Sequence, residues 1–184
     1  VSRYVIDVNR GENERCGSYQ TNLVYTTTTQ GEEMYRIPLT AKETEERIKN
    51  YYAPYHNALI GAIREKLKRY TRIYLLDLHS FGLDCEADII LGNDFGKTCS
   101  NGIISFLKDK FGENGFLPVE NIPFSGAYIT KNYCRQFPCC ETVQIELSYR
   151  AYIQNRVFES GEENPVIEQE YFKICPMNYE VELE

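Results

Sequence analysis

The densest apolar stretch of the chain is Ile73-Tyr74-Leu75-Leu76-Asp77-Leu78, followed directly by His79-Ser80. Its length and its apolar residues at successive positions predict a central strand buried on both faces. Thr142-Val143-Gln144-Ile145-Glu146-Leu147 reads as another strand, in which Val143, Ile145 and Leu147 share one face while Gln144, Glu146 and Ser148 share the other. Ala87-Asp88-Ile89-Ile90-Leu91-Gly92 reads as a further short strand or turn. Phe116-Leu117-Pro118-Val119 reads as an edge strand, because proline has no N–H to give to a sheet ladder. At the start of the chain, residues 3–8 read as a buried strand that ends in the polar pair Asn9-Arg10.

Helical spacing is clearest after Pro38-Leu39-Thr40. Thr40 and Glu43 fit a capping box, and apolar or aromatic residues follow at 48, 51, 52, 55, 59, 62, 63 and 67. Pro54 falls inside this pattern and is expected to kink or divide the helix, which ends near Tyr70. A second helix is predicted over 99–111, with Ile103, Ile104, Phe106, Leu107 and Phe111 on its buried side. Residues 11–37 show no period and read as a long irregular excursion with room for a short hairpin. Excursions of this length in compact domains are often functional. The tail from Gly161 is acidic, with one short helical pattern near residues 167–174. Strands alternating with helices predict an α/β domain with a mixed, mostly parallel sheet, and no linker divides residues 1–184.

Composition narrows the function. The chain has 184 residues, 42% of them hydrophobic, which is enough for a core. Its net charge of −7 and pI near 5.0 argue against a nucleic-acid partner, which needs surplus Lys and Arg. No apolar run approaches the ~18–20 residues of a membrane span. Arg3, Asp7 and Arg10 interrupt the first apolar pattern, so it is no secretory signal. Cysteines at 16, 85, 99, 134, 139, 140 and 175 lack paired C-x-x-C spacing and are odd in number. They read as reduced thiols of a cytoplasmic protein. The chain opens on Val in an apparent strand, so further sequence is expected upstream.

Polar residues set into apolar strands carry the candidate chemistry. Asp77 and His79, two apart, point to the same face of a strand. The pair suits a metal ligand with an oriented imidazole, a catalytic imidazole, or a buried His satisfied by its Asp. Glu146 suits a buried general base or a strand-end carboxylate paired with Arg150. Arg3, Asn9 and Arg10 suit a local anion site against an acidic background, or Arg10 pairs with Asp7. His56, among Tyr52 and Tyr55, is expected to pack or hydrogen-bond rather than bind metal.

Together these segments resemble the N-formylglutamate amidohydrolase family. The matching residues are Ser2-Arg3 with Asp7-Val8-Asn9-Arg10, Pro38-Leu39-Thr40 leading to Tyr51-Tyr52 and Pro54-Tyr55-His56, and Asp77-Leu78-His79-Ser80. They continue with Asp88-Ile89-Ile90-Leu91-Gly92, Pro123 through Thr130, and Gln144-Ile145-Glu146, in the family's order. The resemblance covers roughly residues 2 to 152. It implies a three-layer α/β/α fold related to zinc carboxypeptidases and aspartoacylases. It also implies a cytoplasmic, zinc-dependent hydrolase of histidine degradation that cleaves N-formyl-L-glutamate, or a related N-acyl acidic amino acid, to formate and the amino acid.

The resemblance implies residue roles too. His79 is a zinc ligand, Glu146 is the base for the attacking water, and Asn9 and Arg10 grip the substrate carboxylate. Arg3 polarises the scissile carbonyl or helps bind the substrate. The family's upstream Pro-His segment, which supplies its other zinc ligands, is absent from this sequence, and Gly126-Ala127 stands where the family often has two glycines. The expectation is therefore a single catalytic-type domain that forms the C-terminal part of a longer chain. The alternatives are a related zinc peptidase or deacylase, or a catalytically incomplete carboxylate-binding module.

Overall fold

Residues 3–8 do not form the strand that their apolar content predicts. The computed structural model, which describes residues 1–12 and 15–153, folds them into turns instead. The Val5 N–H donates to Ser2 O (2.9 Å), and the Asp7 carboxylate accepts from the Asn9 N–H two residues on (2.9 Å). An aspartate that bonds its own backbone two residues ahead makes an Asx turn, which ends extended structure. The apolar residues are buried all the same: Ile6 packs with Leu23, Val24, Ile48 and Tyr52. Within the excursion, β1 (Cys16–Gly17) and β2 (Val24–Tyr25) pair in parallel, and an isolated antiparallel bridge joins Thr27 to Glu33.

Thr40 caps α1 (Ala41–Arg47) as its spacing to Glu43 predicts: the Glu43 N–H donates to Thr40 Oγ1 (3.2 Å) and the Thr40 N–H to Glu43 Oε2 (2.8 Å). Each residue satisfies a backbone donor of the other. The helix then passes through one π-helical turn, Ile48–Tyr52, into α2 (Ala53–Leu67). Pro54 explains the division. It has no N–H to donate four residues back, and it sits in the first turn of α2, where none is required. The Ala53 N–H reaches five residues back to Ile48 O. Ile48, Tyr52, His56 and Ile63 point inward, whereas Tyr51 and Tyr55, counted in the apolar stripe, are each 42% exposed.

The main sheet has four strands in the order β3-β6-β4-β5, formed by β3 (Ile73–Phe81), β4 (Ile89–Gly92), β5 (Pro118–Glu120) and β6 (Cys140–Ser148). β3 runs parallel to β6 and β4 parallel to β5, while β4 and β6 are antiparallel. The sheet is therefore mixed and mostly parallel. Pro118 lies on the outer strand, as expected of a proline. β3 corrects the expectation of a central strand. Among the described residues it pairs with β6 alone, and its outer face is open, with Leu78 72% exposed. Apolar residues on both faces imitate a central strand, but Tyr74, Leu76 and Leu78 have no covering layer among the described residues.

Two helical layers complete the α/β/α arrangement. α2 and α4 (Tyr128–Gln136) cover one face, where Leu59, Ile63, Ile129 and Tyr133 meet Ile73, Leu75 and Cys140. α3 (Asn101–Glu113) covers the other, with Ile104 and Leu107 against Ile89, Leu91, Val143 and Ile145. No helix among the described residues is long and apolar enough to cross a membrane. The acidic tail and its helical pattern near 167–174 lie outside the described residues.

α4 has no counterpart in the sequence prediction, because it carries no capping signal of its own. Ala127 stands at its N-cap, without a side-chain hydrogen bond. Distant side chains take over. The Ala127 N–H donates to Gln144 Oε1 (2.6 Å) and the Ile129 N–H to Asn9 Oδ1 (2.8 Å). The approach of this segment to the sheet depends on Gly92. A Cβ there would lie 2.7 Å from Gly126 N and 2.9 Å from Phe124 O. These atoms belong to the backbone of one segment, Phe124–Gly126, which cannot swing aside as a side chain can. Gly92→Ala is expected to destabilise the fold by about 1–3 kcal/mol, as overpacking does. Urea unfolding measures this, and an unchanged midpoint would contradict the close approach.

Candidate functional site

β3 and β6 bring His79 and Glu146 together. They are register partners on adjacent parallel strands, as are Asp77 and Gln144 one pleat away. All four side chains therefore rise from the same sheet face, the one that α2 and α4 cover. Gln144 Nε2 donates to Glu146 Oε1 (2.6 Å), while Gln144 Oε1 accepts from the Ala127 N–H at the start of α4. One carboxylate oxygen of Glu146 is thus fixed by a side chain that is itself fixed. The pairing of Glu146 with Arg150 does not occur, since Arg150 Nε donates to Asp88 Oδ1 at 3.0 Å.

The Asn9 carboxamide joins the N-terminal turn to this pair. Its Oδ1 accepts from the Ile129 N–H, a backbone donor that settles which way the amide points. Nδ2 therefore faces the strand, donating to Asp77 Oδ2 at 3.1 Å and lying 2.9 Å from His79 Nε2. His79 Nε2 also stands 3.0 Å from Asp77 Oδ2. With its Nε2 proton in place the imidazole donates to Asp77; without it, Nε2 accepts from Asn9.

Asp7 anchors the two arginines. Arg3 donates to Asp7 Oδ2 through Nη2 (2.7 Å) and Nε (3.2 Å), and the Tyr25 hydroxyl donates to the same oxygen. Arg3 also lies over the ring of Tyr19, 5.7 Å from its centroid. Arg10 is more loosely held. Its Nε is 3.8 Å from Asp7 Oδ2, and Nη1 donates weakly to Asn9 O at 3.4 Å. The Arg10 Nε is buried, with no hydrogen-bond partner among the described residues. The expected Asp7–Arg10 pair exists, then, but Arg3 is the closer partner.

These contacts shift the titrating groups. Burial works against the His79 imidazolium, yet the Asp77 hydrogen bond and charge, helped by Glu146, hold His79 above its ordinary basicity. Burial lifts the Glu146 carboxyl above the usual range, and His79 and Gln144 only partly offset this. Asp7 moves the other way. Burial would raise it, but Tyr25, Arg3 and the Asn9 N–H together hold it below the usual carboxylate value.

The structure thus links Arg3, Asn9, Arg10 and His79 through a chain of contacts and sets Glu146 opposite His79. His56 takes the packing and hydrogen-bonding role expected of it, among Tyr52, Tyr128 and Tyr133. Gln144 was given no role from the sequence; its signals are that it shares a strand face with Glu146 and falls in a segment that carries the family resemblance.

A family model for N-formylglutamate amidohydrolase matches residues 1–153. The chain belongs to this family. It is similar to the crystal structure of N-formylglutamate amidohydrolase from Ralstonia eutropha JMP134, with a TM-score of 0.73 and 25% identity, covering 86% of this chain and 66% of that one. A gene product from Agrobacterium tumefaciens shares the fold, with a TM-score of 0.62 and 18% identity, covering 81% of this chain and 58% of that one. The chain therefore spans less than two thirds of the length of either structure. No curated protein matches it.

The family resemblance implies zinc, and the donor set tests that implication. A catalytic zinc takes about three protein ligands. Among the described residues no group of three or more His, Cys, Asp or Glu side chains is placed to hold a metal ion. His79 is a candidate single ligand, and the described residues do not complete a zinc site by themselves.

Asp7 makes a pH prediction. Its proton affinity is lowered in the folded protein, so its contribution to stability is complete above the ordinary carboxylate value and is lost as pH falls through the lowered one. Asp7→Asn is expected to cost about 1.5–3 kcal/mol at neutral pH, the range for hydrogen bonds to a charged group. The variant is also expected to lose less stability than wild type on acidification. Urea unfolding across the acid range measures both, and parallel pH profiles would contradict the assignment.

Proposed function

We propose that this chain carries the substrate-binding and proton-transfer half of a zinc-dependent amidohydrolase. Its substrate is N-formyl-L-glutamate or a related N-acyl acidic amino acid, and its products are formate, or the corresponding acid, and the free amino acid. The observation that carries the proposal is the meeting of His79, Glu146 and the Asn9-Arg10 turn on one sheet face. In this reading His79 contributes one zinc ligand, and the remaining ligands lie outside the described residues. When bound, zinc supplies Lewis acidity toward the water and the amide carbonyl.

The residues of this chain divide the remaining work. A formyl amide resists water because resonance weakens its carbonyl as an electrophile. Arg10 binds the free carboxylate of the substrate by charge-assisted hydrogen bonds, and Asn9 adds a neutral donor through the Nδ2 proton that faces His79, free whenever His79 Nε2 does not accept it. The loose hold of Asp7 on Arg10, 3.8 Å against 2.7 Å for Arg3, supports this role. Held there, the amide lies in a fixed orientation, which removes much of the entropic part of the barrier. Glu146 Oε1 is occupied by Gln144, leaving Oε2 to take the proton of the attacking water. The raised proton affinity of Glu146 suits a base that must then give that proton to the leaving nitrogen. Arg3, steadied by Asp7 and Tyr19, is assigned to the scissile carbonyl. The described cysteines are all free, which supports a reducing, cytoplasmic setting.

The ligand count favours a second reading, a carboxylate-binding module without turnover. Formate release from N-formyl-L-glutamate by the whole protein, supplied with zinc, separates the two. Glu146→Gln is expected to lower kcat by roughly 10²–10⁴-fold, the usual share of general-base catalysis, with metal content unchanged. Arg10→Ala is expected to weaken substrate binding roughly 10- to 100-fold, the scale of a lost charge-assisted hydrogen bond. Turnover retained in Glu146→Gln removes Glu146 from the base role. Tight binding without any formate release by wild type favours the module.

A further inference from the structure

Two side chains of the long helix, neither used in the proposed chemistry, hold the backbone on either side of Asn9. The Tyr52 hydroxyl donates to Arg10 O at 2.9 Å, and His56 Nε2 lies 3.0 Å from Val8 O. Val8 O can only accept, so Nε2 carries the imidazole proton. Nδ1, 2.5 Å from the Tyr133 hydroxyl, must then accept from it. Hydrogen bonds at both ends of the ring thus fix its tautomer. Both residues are buried, Tyr52 at 3% and His56 at 8% exposure. Their rings lie 4.1 Å apart, and His56 stacks against Tyr133 with an interplanar angle of 14°. Burial also holds His56 below its ordinary basicity.

The π-turn gives this pair its register. It ends on Tyr52, and Tyr52 and His56, four apart, project from the same helix face. One residue more or fewer in that turn would rotate both by ~100° and take them off the Val8–Arg10 segment. Extra residues of this kind inside helices are frequently found at functional sites. The two carbonyls they hold flank the residue whose carboxamide meets His79, and one of them belongs to Arg10 itself.

We propose that Tyr52 and His56 are positioning residues, a two-point clamp that fixes the Val8–Arg10 turn so that Asn9 and Arg10 meet the substrate carboxylate already ordered. The assignment rests on the proposed function of the Asn9-Arg10 pair. Ordering these groups before binding raises affinity, because the ordering cost is not charged to the complex. Chemistry at the amide is untouched by the clamp, so its loss acts on binding and not on turnover.

The test uses Tyr52→Phe, His56→Leu and His56→Gln in the full chain, the last because its side-chain amide can still donate to Val8 O. Amide hydrogen exchange at Asn9 and Arg10 is read by NMR, alongside the Kd for N-formyl-L-glutamate and, where formate is released, KM and kcat. Tyr52→Phe and His56→Leu are expected to speed exchange at both amides and weaken binding about 5- to 10-fold, the scale of one lost hydrogen bond. KM follows Kd while kcat changes less than about twofold, the signature of lost ground-state binding. His56→Gln is expected to restore most of the affinity. Variants that melt at lower temperature but keep wild-type exchange and affinity would overturn the clamp and leave a packing role alone. If wild type binds no N-formyl-L-glutamate, the proposed function fails. Exchange at Asn9 and Arg10 still decides the clamp, with faster exchange supporting it and unchanged exchange overturning it.

Discussion

The carboxamide of Asn9 is the constraint on which the rest of the structure depends. It is buried, so each of its polar atoms needs a partner. The partners lie 68, 70 and 120 residues away along the chain, on β3 and at the start of α4. One side chain therefore closes the N-terminal turn onto the sheet and supplies the cap that α4 lacks. Gln144 does the same from the other side, giving Oε1 to the Ala127 N–H and Nε2 to Glu146. The candidate functional side chains are oriented by the same hydrogen bonds that cap the start of α4. Site geometry and fold are consequently one network.

Charge in that network is graded outward. Asp7 is nearly inaccessible and is satisfied by two arginines, a tyrosine hydroxyl and a backbone N–H. It keeps its negative charge and steadies Arg3. Arg10, at a longer distance, retains a buried N–H without a hydrogen-bond partner among the described residues. Glu146 lies across the site with no positive partner in hydrogen-bond contact among the described residues, so burial dominates its proton affinity. Two carboxylates in one small region are thus driven in opposite directions by their neighbours, one toward a fixed charge and one toward a movable proton.

Much of the fold was legible where the signal is local. The Thr40–Glu43 box, the edge placement of Pro118 and the polar face of β6 each follow from residues a few positions apart. What sequence pattern misread depends mostly on distant partners, the local turn at Asp7 being the exception. The Asx turn at Asp7 overrides the extended reading of residues 3–8. The cap of α4 comes from Asn9 and Gln144, so nothing beside Ala127 announces a helix. Whether β3 sits at the centre or the edge is a property of the sheet, and its apolar outer face points to the wrong answer. The candidate residues themselves were legible as polar groups in apolar surroundings. The local Asp7–Arg10 pair was legible too. The connections through Gln144 and the Tyr52–His56 pair were not, because no spacing in the chain encodes them.

The central claim is that a carboxylate ligand meets His79 and the Asn9-Arg10 turn at one place. A titration of the isotopically labelled protein with N-formyl-L-glutamate, followed at the Asn9 side-chain amide and the His79 imidazole, tests it directly. Both signals are expected to move together along a single saturation curve, and the uncharged diamide of the same compound is expected to leave them still. The account is contradicted if those two signals stay fixed while the ligand perturbs the cavity of about 400 Å³ between α2 and the edge of β3, around Leu59, Lys66 and Tyr74.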